Sequence, residues 1–524
     1  MGTPSEHREP AVRAWWNSRF VVPGLMLLST IPFWFVHTPP LIDFLAHIGR
    51  YHVQLHLADS PALQQNWDFH WQLVGNLGVE LLIAPLARMF GFEHAVWLIA
   101  LALPPLMIWG IARISRAMHG QLTPFAIAAL WFTMSYPFQL GFANYWLGCA
   151  LAFHVFASWV QGAYQGAQSS VTRPTLFAAA SCVVWLAHAY GWVVLVVLVG
   201  AFELCRNWRR EPRAWPSMAF IILRRIWPVM IPAVLMIVWR QGPSEGTGAA
   251  STGHFLDMSA KTLGLVWTLR DQNIGLDTLT LLLAIGLLYF GLRNRDVRLD
   301  PALLAGAVLV LILILLMPGL MFGAVYADVR LWPIFFIVGL IAIAPTDRPW
   351  RGSAVVAGAA LAVFGIRIAA MAVGFAAYDA SFTQHLQALK DVPRGASIAV
   401  LTRPPSCEPW RAPRMAHLGS LAIVRRDAFV NSQWDASGGQ QLLTPLRARG
   451  TEFNADPSQY FEVPPGGCDG DLSAALAQRI AQIPRDRFEY VWLLDVETSG
   501  LADLPGLRRL YQDDRSALYE FIRG

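Results

Sequence analysis

Hydrophobic runs separated by short polar or basic segments recur along the first 375 residues of the chain. Each run approaches the roughly 20 apolar residues with which an α-helix crosses the hydrocarbon core of a bilayer. Uninterrupted apolar runs of this length are typical of membrane-spanning helices. The pattern predicts eleven transmembrane helices, at residues 20–38, 95–113, 122–136, 142–160, 174–189, 191–206, 226–240, 276–292, 301–318, 331–345 and 353–374.

One further apolar segment, residues 73–90, is long enough to cross a membrane but would invert the side of every later loop. Its polar residues suit a helix that lies flat on the membrane surface. We therefore expect an amphipathic helix in the first outer loop, with Asn76, Glu80 and Arg88 on its solvated side.

The pattern changes near residue 376, where apolar runs give way to a mixture typical of soluble proteins. Residues 382–389 have a helical pattern, and residues 397–401, 490–495 and 517–522 have the pattern of strands. The sequence thus predicts an α-helical polytopic membrane protein with two domains. The transmembrane domain comprises residues 1–375, and a soluble C-terminal α/β domain comprises residues 376–524.

Composition and charge support a membrane protein and suggest its orientation. Hydrophobic residues make up 55% of the chain and charged residues 14%, which excludes a soluble protein of 524 residues. The net charge of +5 reflects Lys and Arg in the loops between spans, so no nucleic-acid partner is expected. Because these basic clusters belong on the cytoplasmic side, the N-terminus is predicted inside. The C-terminal domain is predicted on the extracytoplasmic side of the cell inner (plasma) membrane.

Cys407 and Cys468 are the two cysteines of the C-terminal domain. In an oxidising extracytoplasmic compartment they can form a disulfide, which is our prediction. The alternative is two unrelated loop thiols.

Candidate chemistry begins directly after the first span. In a helix that starts near Ile42, the side chains of Asp43, His47 and Arg50 share one face, because they are spaced at i, i+4 and i+7. A carboxylate, an imidazole and a guanidinium together suit proton transfer and phosphate binding. The alternative is an interfacial helix with a solvated face and a local Asp43–Arg50 ion pair.

Other polar candidates are predicted on the same outer side. Arg330 follows Asp328 at the start of a span, where it either grips a phosphate or anchors the helix end by pairing with Asp328. Lys261 and Arg270 lie in the outer loop at residues 241–275 and are either substrate contacts or solvated. His188 ends the fifth predicted span, as a site residue or as a structural histidine bonded to a neighbouring helix.

Several motifs in this order resemble the GT-C class of membrane glycosyltransferases. The resemblance rests on the frame Pro-Pro-x-x-Asp-x-x-x-His-x-x-Arg that ends at Arg50, and on the outer amphipathic helix that ends at Gly91. It continues in Gly-Phe-x-Asn-Tyr-x-x-Gly (141–148), Leu-Ala-His (186–188) and Ala-Asp-x-Arg-Leu (327–331). The resemblance covers most of the membrane domain and the start of the C-terminal domain.

The resemblance implies an enzyme that transfers a sugar from a polyprenyl phosphate carrier to a glycan, lipid or protein acceptor outside the cytoplasm. Asp43 would take or orient the acceptor proton. Arg330, with Arg50 and His47, would bind the donor phosphate, because cations stabilise the charge on the leaving group. His188, Asp328, Lys261 and Arg270 are candidate substrate contacts. Asp43 has no second acid beside it, so no metal ligand is predicted, and the use of a divalent cation stays open.

Two other function classes remain open on sequence grounds. A polysaccharide polymerase, or a non-catalytic relative that binds lipid-linked sugar, would have the same polar outer side. A secondary transporter is less favoured, because it needs polar residues near the bilayer midplane and the predicted spans are apolar through their centres.

Overall fold

The computed structural model describes residues 14–164, 172–210, 215–240, 252–321, 325–346, 352–434, 442–447, 453, 457–463, 468, 472–498, 504 and 506–522. The predicted cytoplasmic N-terminus and the Gly/Ser-rich part of the outer loop at residues 241–251 therefore lie outside the described residues.

Helices dominate the first three-quarters of the described chain, and the larger sheet lies near its end. The helices of the membrane part are α1 (Val21–Thr30), α2 (Ile42–His56), α3 (Pro61–Asn66), α4 (Gly78–Phe90), α5 (Phe92–His119), α6 (Pro124–Ala128), α7 (Tyr136–Gln139), α8 (Ala143–Tyr164), α9 (Thr172–Ala187), α10 (Ala189–Arg210), α11 (Trp215–Met230), α12 (Pro232–Arg240), α13 (Met258–Val266), α14 (Ile274–Arg293), α15 (Pro301–Leu316), α16 (Trp332–Ile341) and α17 (Gly352–His385). Two short helices follow, α18 (Leu421–Arg426) and α19 (Ser473–Ala481). The strands are β1 (Trp67–Phe69), β2 (Val297–Leu299), β3 (Ile343–Pro345), β4 (Ser397–Thr402), β5 (Phe429–Val430), β6 (Leu443–Pro445), β7 (Tyr490–Leu494), β8 (Leu507–Gln512) and β9 (Ser516–Phe521).

Within the described ranges, four helices are long and apolar enough to cross a membrane, and they lie in α5, α10, α14 and α17 with its extension. Shorter apolar helices occur at Val21–Phe35, Thr172–Ala187, Pro301–Leu316 and Val329–Ile341. The chain is therefore a helical protein suited to a membrane, but the prediction of eleven spans is wrong.

The prediction counts too many spans because some apolar runs are buried inside the protein and do not cross a membrane. Residues 122–136 form no continuous helix, but the short α6, a 3-10 turn and the start of α7, all buried inside the protein. Helix α16 is also almost wholly buried and only 10 residues long, which is about 15 Å. Burial in a protein core selects the same residues as contact with lipid, so the two cannot be separated by hydropathy alone.

The predicted amphipathic helix after the first span exists as α4, and its 13 residues are too short to cross a bilayer. Leu81, Leu82 and Met89 are exposed on its surface, as is Arg88. Glu80, however, is buried rather than solvated as predicted, because it forms an ion pair with Arg50 of α2.

A five-stranded sheet forms the core of the C-terminal region, with the strand order β5-β4-β7-β9-β8. Strands β5, β4 and β7 are parallel, whereas β9 pairs antiparallel with β7 and β8. The three predicted strands correspond to β4, β7 and β9 and are confirmed. The predicted helix at 382–389 is instead the end of α17 with a following 3-10 turn, so one continuous helix crosses the expected domain boundary at 375/376.

The C-terminal region packs closely against α2 and the segment that follows it. Strand β6 pairs with β1 of this segment, and the indole nitrogen of Trp67 donates to the carbonyl oxygen of Ala428 at 3.1 Å. The carboxylate of Asp427 accepts hydrogen bonds from Ser60 and contacts the His52 ring, each at 2.9 Å. Distant parts of the sequence thus form one structural unit, which positions the candidate site at their junction.

Candidate functional site

Asp43 lies at the start of α2, where the chain turns against the segment before α8. The preceding Pro39 and Pro40 disfavour helical backbone, so the helix begins only at Ile42. The backbone nitrogen of Asp43 donates to the carbonyl oxygen of Leu140 at 2.8 Å. Gly141, the residue after Leu140, has a φ of +84°, and a Cβ there would lie 2.5 Å from the Phe44 nitrogen. A glycine is therefore required for this close approach.

The Asp43 carboxylate is influenced by one residue from each of two other regions. His417 of the C-terminal region places its Nε2 atom 3.6 Å from Oδ1 of Asp43. Arg330, at the start of α16, favours the charged carboxylate, but burial acts more strongly and raises the pKa of Asp43 to about 7. The side chain keeps 18% of its surface exposed. A reachable carboxyl that titrates near neutrality suits a general base.

His47 lies one helical turn after Asp43 and is held by aromatic packing. Its ring lies 5.3 Å from that of Trp434, which in turn lies 4.8 Å from the ring of His417. Burial lowers the pKa of His47 well below its usual value, and the positive charge of Arg50 adds to the effect. His47 is therefore a neutral imidazole, and it can offer a phosphate one hydrogen bond but no positive charge.

Arg330 is buried among aromatic rings and keeps donor groups available. Its guanidinium carbon lies 4.0 Å from the centre of the Phe142 ring and 5.7 Å from that of Tyr190. One Nη donates to the carbonyl oxygen of Val325 at 3.2 Å, while the buried Nε has no hydrogen-bond partner within the described residues. A guanidinium held in this way can bind a phosphate oxygen without first breaking an ion pair.

Asp328 is engaged by Lys261 and not by Arg330. The Lys261 ammonium donates to Oδ2 of Asp328 at 3.0 Å and to the carbonyl oxygens of Ile314 and Met317, each at 2.7 Å. Lys261 is 1% exposed, so the alternative of a solvated loop residue is wrong. The expected Asp328–Arg330 anchor is likewise replaced by a buried pair that joins α13 to the start of α16.

Arg50 points away from Asp43 into the protein. It forms a fully buried ion pair with Glu80, whose second oxygen accepts a hydrogen bond from Asn144 at 2.8 Å. The alternative of a local Asp43–Arg50 pair is therefore wrong. Arg50 joins α2, α4 and α8 through these contacts. Its role in phosphate binding stays a prediction.

Arg270 also takes part in a buried network instead of lying in solvent. Its three nitrogens donate to the carbonyl oxygens of Trp410 and Arg411 at 2.8 and 2.9 Å and to the Tyr136 hydroxyl at 3.0 Å. Nearby, the guanidinium of Arg414 donates to Pro40, to Gln139 at 2.8 Å and to Asp271 at 2.6 Å. These contacts fasten the C-terminal segment to the segment that precedes Asp43.

His188 lies between α9 and α10, close to the surroundings of Arg330. Its Nδ1 accepts a hydrogen bond from the backbone nitrogen of Tyr190 at 3.1 Å, and its ring stands edge-on to that of Tyr145 at 5.6 Å. The Tyr145 hydroxyl donates to the carbonyl oxygen of Arg330 at 2.5 Å. His188 therefore supports the aromatic surroundings of Arg330, and a direct substrate contact stays a prediction.

Arg330 thus lies within electrostatic reach of both Asp43 and His47, and His188 contacts Tyr145, which bonds to the Arg330 backbone. Sequence reasoning missed His417, Trp434 and Arg414, which the C-terminal region contributes. Only the cluster of arginine, proline and histidine between Cys407 and His417 could have drawn attention to this segment. No sequence pattern relates it to Asp43, because the two segments meet only in the folded chain.

The described residues contain no group of three or more His, Cys, Asp or Glu side chains that could hold a metal ion. No protein-family model, curated protein or solved structure matches the chain.

Proposed function

We propose that the protein is an integral-membrane glycosyltransferase that moves a sugar from a polyprenyl phosphate carrier to an acceptor on the extracytoplasmic face. One observation carries this proposal. The Asp43 carboxyl has a pKa of about 7 and lies within electrostatic reach of the Arg330 guanidinium, whose Nε has no partner in the described residues. A base and an anion-binding cation are the two groups that this transfer requires.

The reaction uses the two groups on opposite sides of the anomeric carbon. The acceptor hydroxyl gives its proton to the Asp43 carboxylate, while its oxygen forms a bond to the anomeric carbon. The bond between that carbon and the phosphate oxygen breaks, and its electron pair leaves with the polyprenyl phosphate. Arg330 stabilises the charge that grows on this phosphate. His417 contacts the carboxylate and keeps it oriented.

The proposed location is the cell inner (plasma) membrane, with the C-terminal domain outside the cytoplasm. The four long apolar helices support a membrane location. The Cys407–Cys468 disulfide supports an oxidising compartment for the C-terminal region. Labelling of an Arg487→Cys variant in intact cells with a membrane-impermeant thiol reagent tests the orientation, because this side chain is 56% exposed. Labelling only after cell lysis would contradict it.

The function is tested with purified full-length protein and a panel of polyprenyl phosphate sugars. We expect transfer from at least one donor, and a fall of about 100-fold or more in Asp43→Asn, which keeps the shape of the side chain but cannot accept the proton. Asp59→Asn is the matched control, because Asp59 lies exposed just beyond α2. Normal transfer by folded Asp43→Asn protein would remove Asp43 from the mechanism. Donor binding without transfer would instead indicate a non-catalytic relative.

A further inference from the structure

A cleft lies in the C-terminal region, and its lining includes Arg414, which also contacts the segment before Asp43. It is open to the surface, and the space between its walls is about 390 Å3 with the adjoining open solvent included. Its lining includes the residues that follow β4 and β7, namely Arg403 and Asp495, and the wall formed by residues 404–416. The last residue of this wall, Ala416, precedes His417, which contacts Asp43.

The position of the cleft in the sheet is one at which ligands bind. Strands β5, β4 and β7 are parallel, and Thr402 is the last residue of β4. In open α/β sheets, ligands bind in the crevice outside the carboxyl ends of such strands. Thr402, Arg403 and Asp495 line the cleft at this edge, and Tyr378 of α17 contributes to the same lining.

Two buried polar groups in the cleft wall lack partners. The Thr402 hydroxyl and the Nε of Arg414 have no hydrogen-bond partner in the part of the chain that the structure describes. Both residues line the cleft and are 1% exposed. Because buried polar groups are nearly always hydrogen-bonded, two of them in one cleft indicate that a polar ligand completes the bonding.

The charged groups of the cleft are held in ion pairs with one another. Glu408 contacts Arg411 at 2.9 Å and Arg403 at 3.3 Å, so one carboxylate bridges two guanidinium groups. Asp495 is paired with Arg515, and Arg414 with Asp271. Paired guanidinium and carboxylate groups offer both donors and acceptors, which matches the hydroxyl groups of a saccharide, and the ring of Tyr378 adds an apolar face.

We propose that this cleft binds the acceptor and that the acceptor is a carbohydrate chain. This inference rests on the proposed glycosyl transfer. Ala412 and Ala416 of the cleft wall pack in one cluster with Ile42, the residue before Asp43. The wall of the cleft thus packs against the start of α2, and the proposal requires that the acceptor chain extend from the cleft toward Asp43.

Calorimetric titration of the full-length protein with maltotriose, cellotriose, chitotriose and mannotriose tests the cleft directly. We expect saturable binding of at least one trisaccharide. Thr402→Val keeps the side-chain shape but loses one hydrogen bond to the ligand, so it should weaken binding by roughly fivefold. Its melting temperature should not fall, because the hydroxyl has no partner in the protein. A purely structural Thr402 would not affect binding.

Arg411→Ala should also weaken binding, whereas Arg487→Ala should not. Both side chains are exposed to a similar degree, at 53% and 56%, but Arg487 precedes β7 and lies at the opposite edge of the sheet. The absence of binding by all four trisaccharides, or equal binding by Thr402→Val and native protein, would overturn the proposal. Stronger binding of inorganic phosphate than of any saccharide would also overturn it.

Kinetics separate a failure of this inference from a failure of the proposed function. If the cleft holds the acceptor, Arg411→Ala raises the acceptor KM and leaves the donor KM unchanged. An unchanged acceptor KM in an active enzyme would reject the cleft alone. The absence of transfer from every donor would reject the proposed function, while the trisaccharide titration would still decide the ligand of the cleft.

Discussion

A carboxyl with a pKa near neutrality makes the rate depend on pH in a defined direction. Because burial raises the pKa of Asp43 to about 7, the base is charged only above this value. We expect kcat/KM to rise as the pH increases through about 7. Arg330 lowers this pKa, so Arg330→Ala should move the midpoint to higher pH. A pH profile of kcat/KM checks both expectations, and an unchanged midpoint would show that another group titrates.

The same shift affects stability with a fixed sign. The folded protein holds the Asp43 proton more tightly than the unfolded chain, in which the pKa is near 3.8. This contribution to stability is present below about pH 4 and is lost as the pH rises through about 7. Asp43→Asn should remove that part of the pH dependence. Thermal unfolding of both proteins at pH 5 and pH 8 measures it, and parallel pH dependence would contradict the shift.

Arg330 should matter for donor binding as well as for rate. Its guanidinium lies over the Phe142 ring and is buried, so a phosphate contact there is largely shielded from water. Arg330→Ala should cost roughly 2 to 4 kcal/mol in kcat/KM, with an increase in donor KM. Arg330→Lys keeps the charge but loses the planar fork, and we expect an intermediate effect. An unchanged donor KM in the alanine variant would place the phosphate elsewhere.

Among the elements, α2 and α4 depend on the buried Arg50–Glu80 pair. Glu80→Gln removes one charge and leaves Arg50 uncompensated, which should cost about 3–5 kcal/mol of stability. Glu93→Gln is the matched control, because the Glu93–Arg425 pair is about half exposed on both sides and should contribute roughly 1 kcal/mol or less. Denaturation measurements on both variants decide this. Equal losses would show that the Glu80 pair has no special structural role.

Close packing of α2 against the C-terminal region gives a second prediction at this scale. A Cβ at Gly49 would lie 2.8 Å from Gln433 and 2.9 Å from both Ile423 and the Ser420 carbonyl oxygen. Gly49→Ala should therefore cost about 1–3 kcal/mol and separate His417 from Asp43, which lowers transfer as well. Gly24→Ala in α1 meets nothing within 4 Å and should be neutral or slightly stabilising. Normal activity of Gly49→Ala would argue against tight packing.

The elements also show what the sequence could and could not predict. The start of α2 at Ile42 and the strands β4, β7 and β9 follow local patterns, because Pro39 and Pro40 precede the helix and each strand consists mainly of apolar and aromatic residues. The amphipathic pattern of residues 73–90 predicts a solvated Glu80, but Glu80 is buried because its partner Arg50 lies on another helix. The predicted number of transmembrane helices is wrong because apolar segments such as residues 122–136 pack inside the protein and not against lipid.

At the scale of the whole molecule, the Cys407–Cys468 disulfide confirms the predicted pairing. The cysteines are 61 residues apart, so the bond should stabilise the C-terminal region by about 4 kcal/mol through its effect on the unfolded chain. Replacing both by Ser should lower the unfolding temperature, whereas Cys182→Ser, which removes a free thiol, should not. Alkylation of unreduced, denatured protein should modify three of the five cysteines. Modification of all five would contradict the bond.

The assembled site could be predicted only in part. Asp43, His47 and Arg330 carry side chains suited to the proposed chemistry and lie near predicted span ends, so residue type and predicted topology made them candidates. His417, Trp434 and Arg414 gain their positions from contacts such as the hydrogen bond between Gln433 and Ala46 and the pairing of β1 with β6. Such long-range contacts arise from the folded packing of α2 and the sheet, which a single sequence does not reveal.

The junction of α2 with the C-terminal region can form only late in the synthesis of the chain. Asp43 emerges from the ribosome early, but His417 and the Arg414 anchor to Pro40 follow only after all the long apolar helices. A nascent chain therefore holds its carboxyl without the partners that orient it. On the proposed function, we expect activity only once translation has passed His417 and the late segment has folded back onto the early one, so an incomplete chain should be inactive.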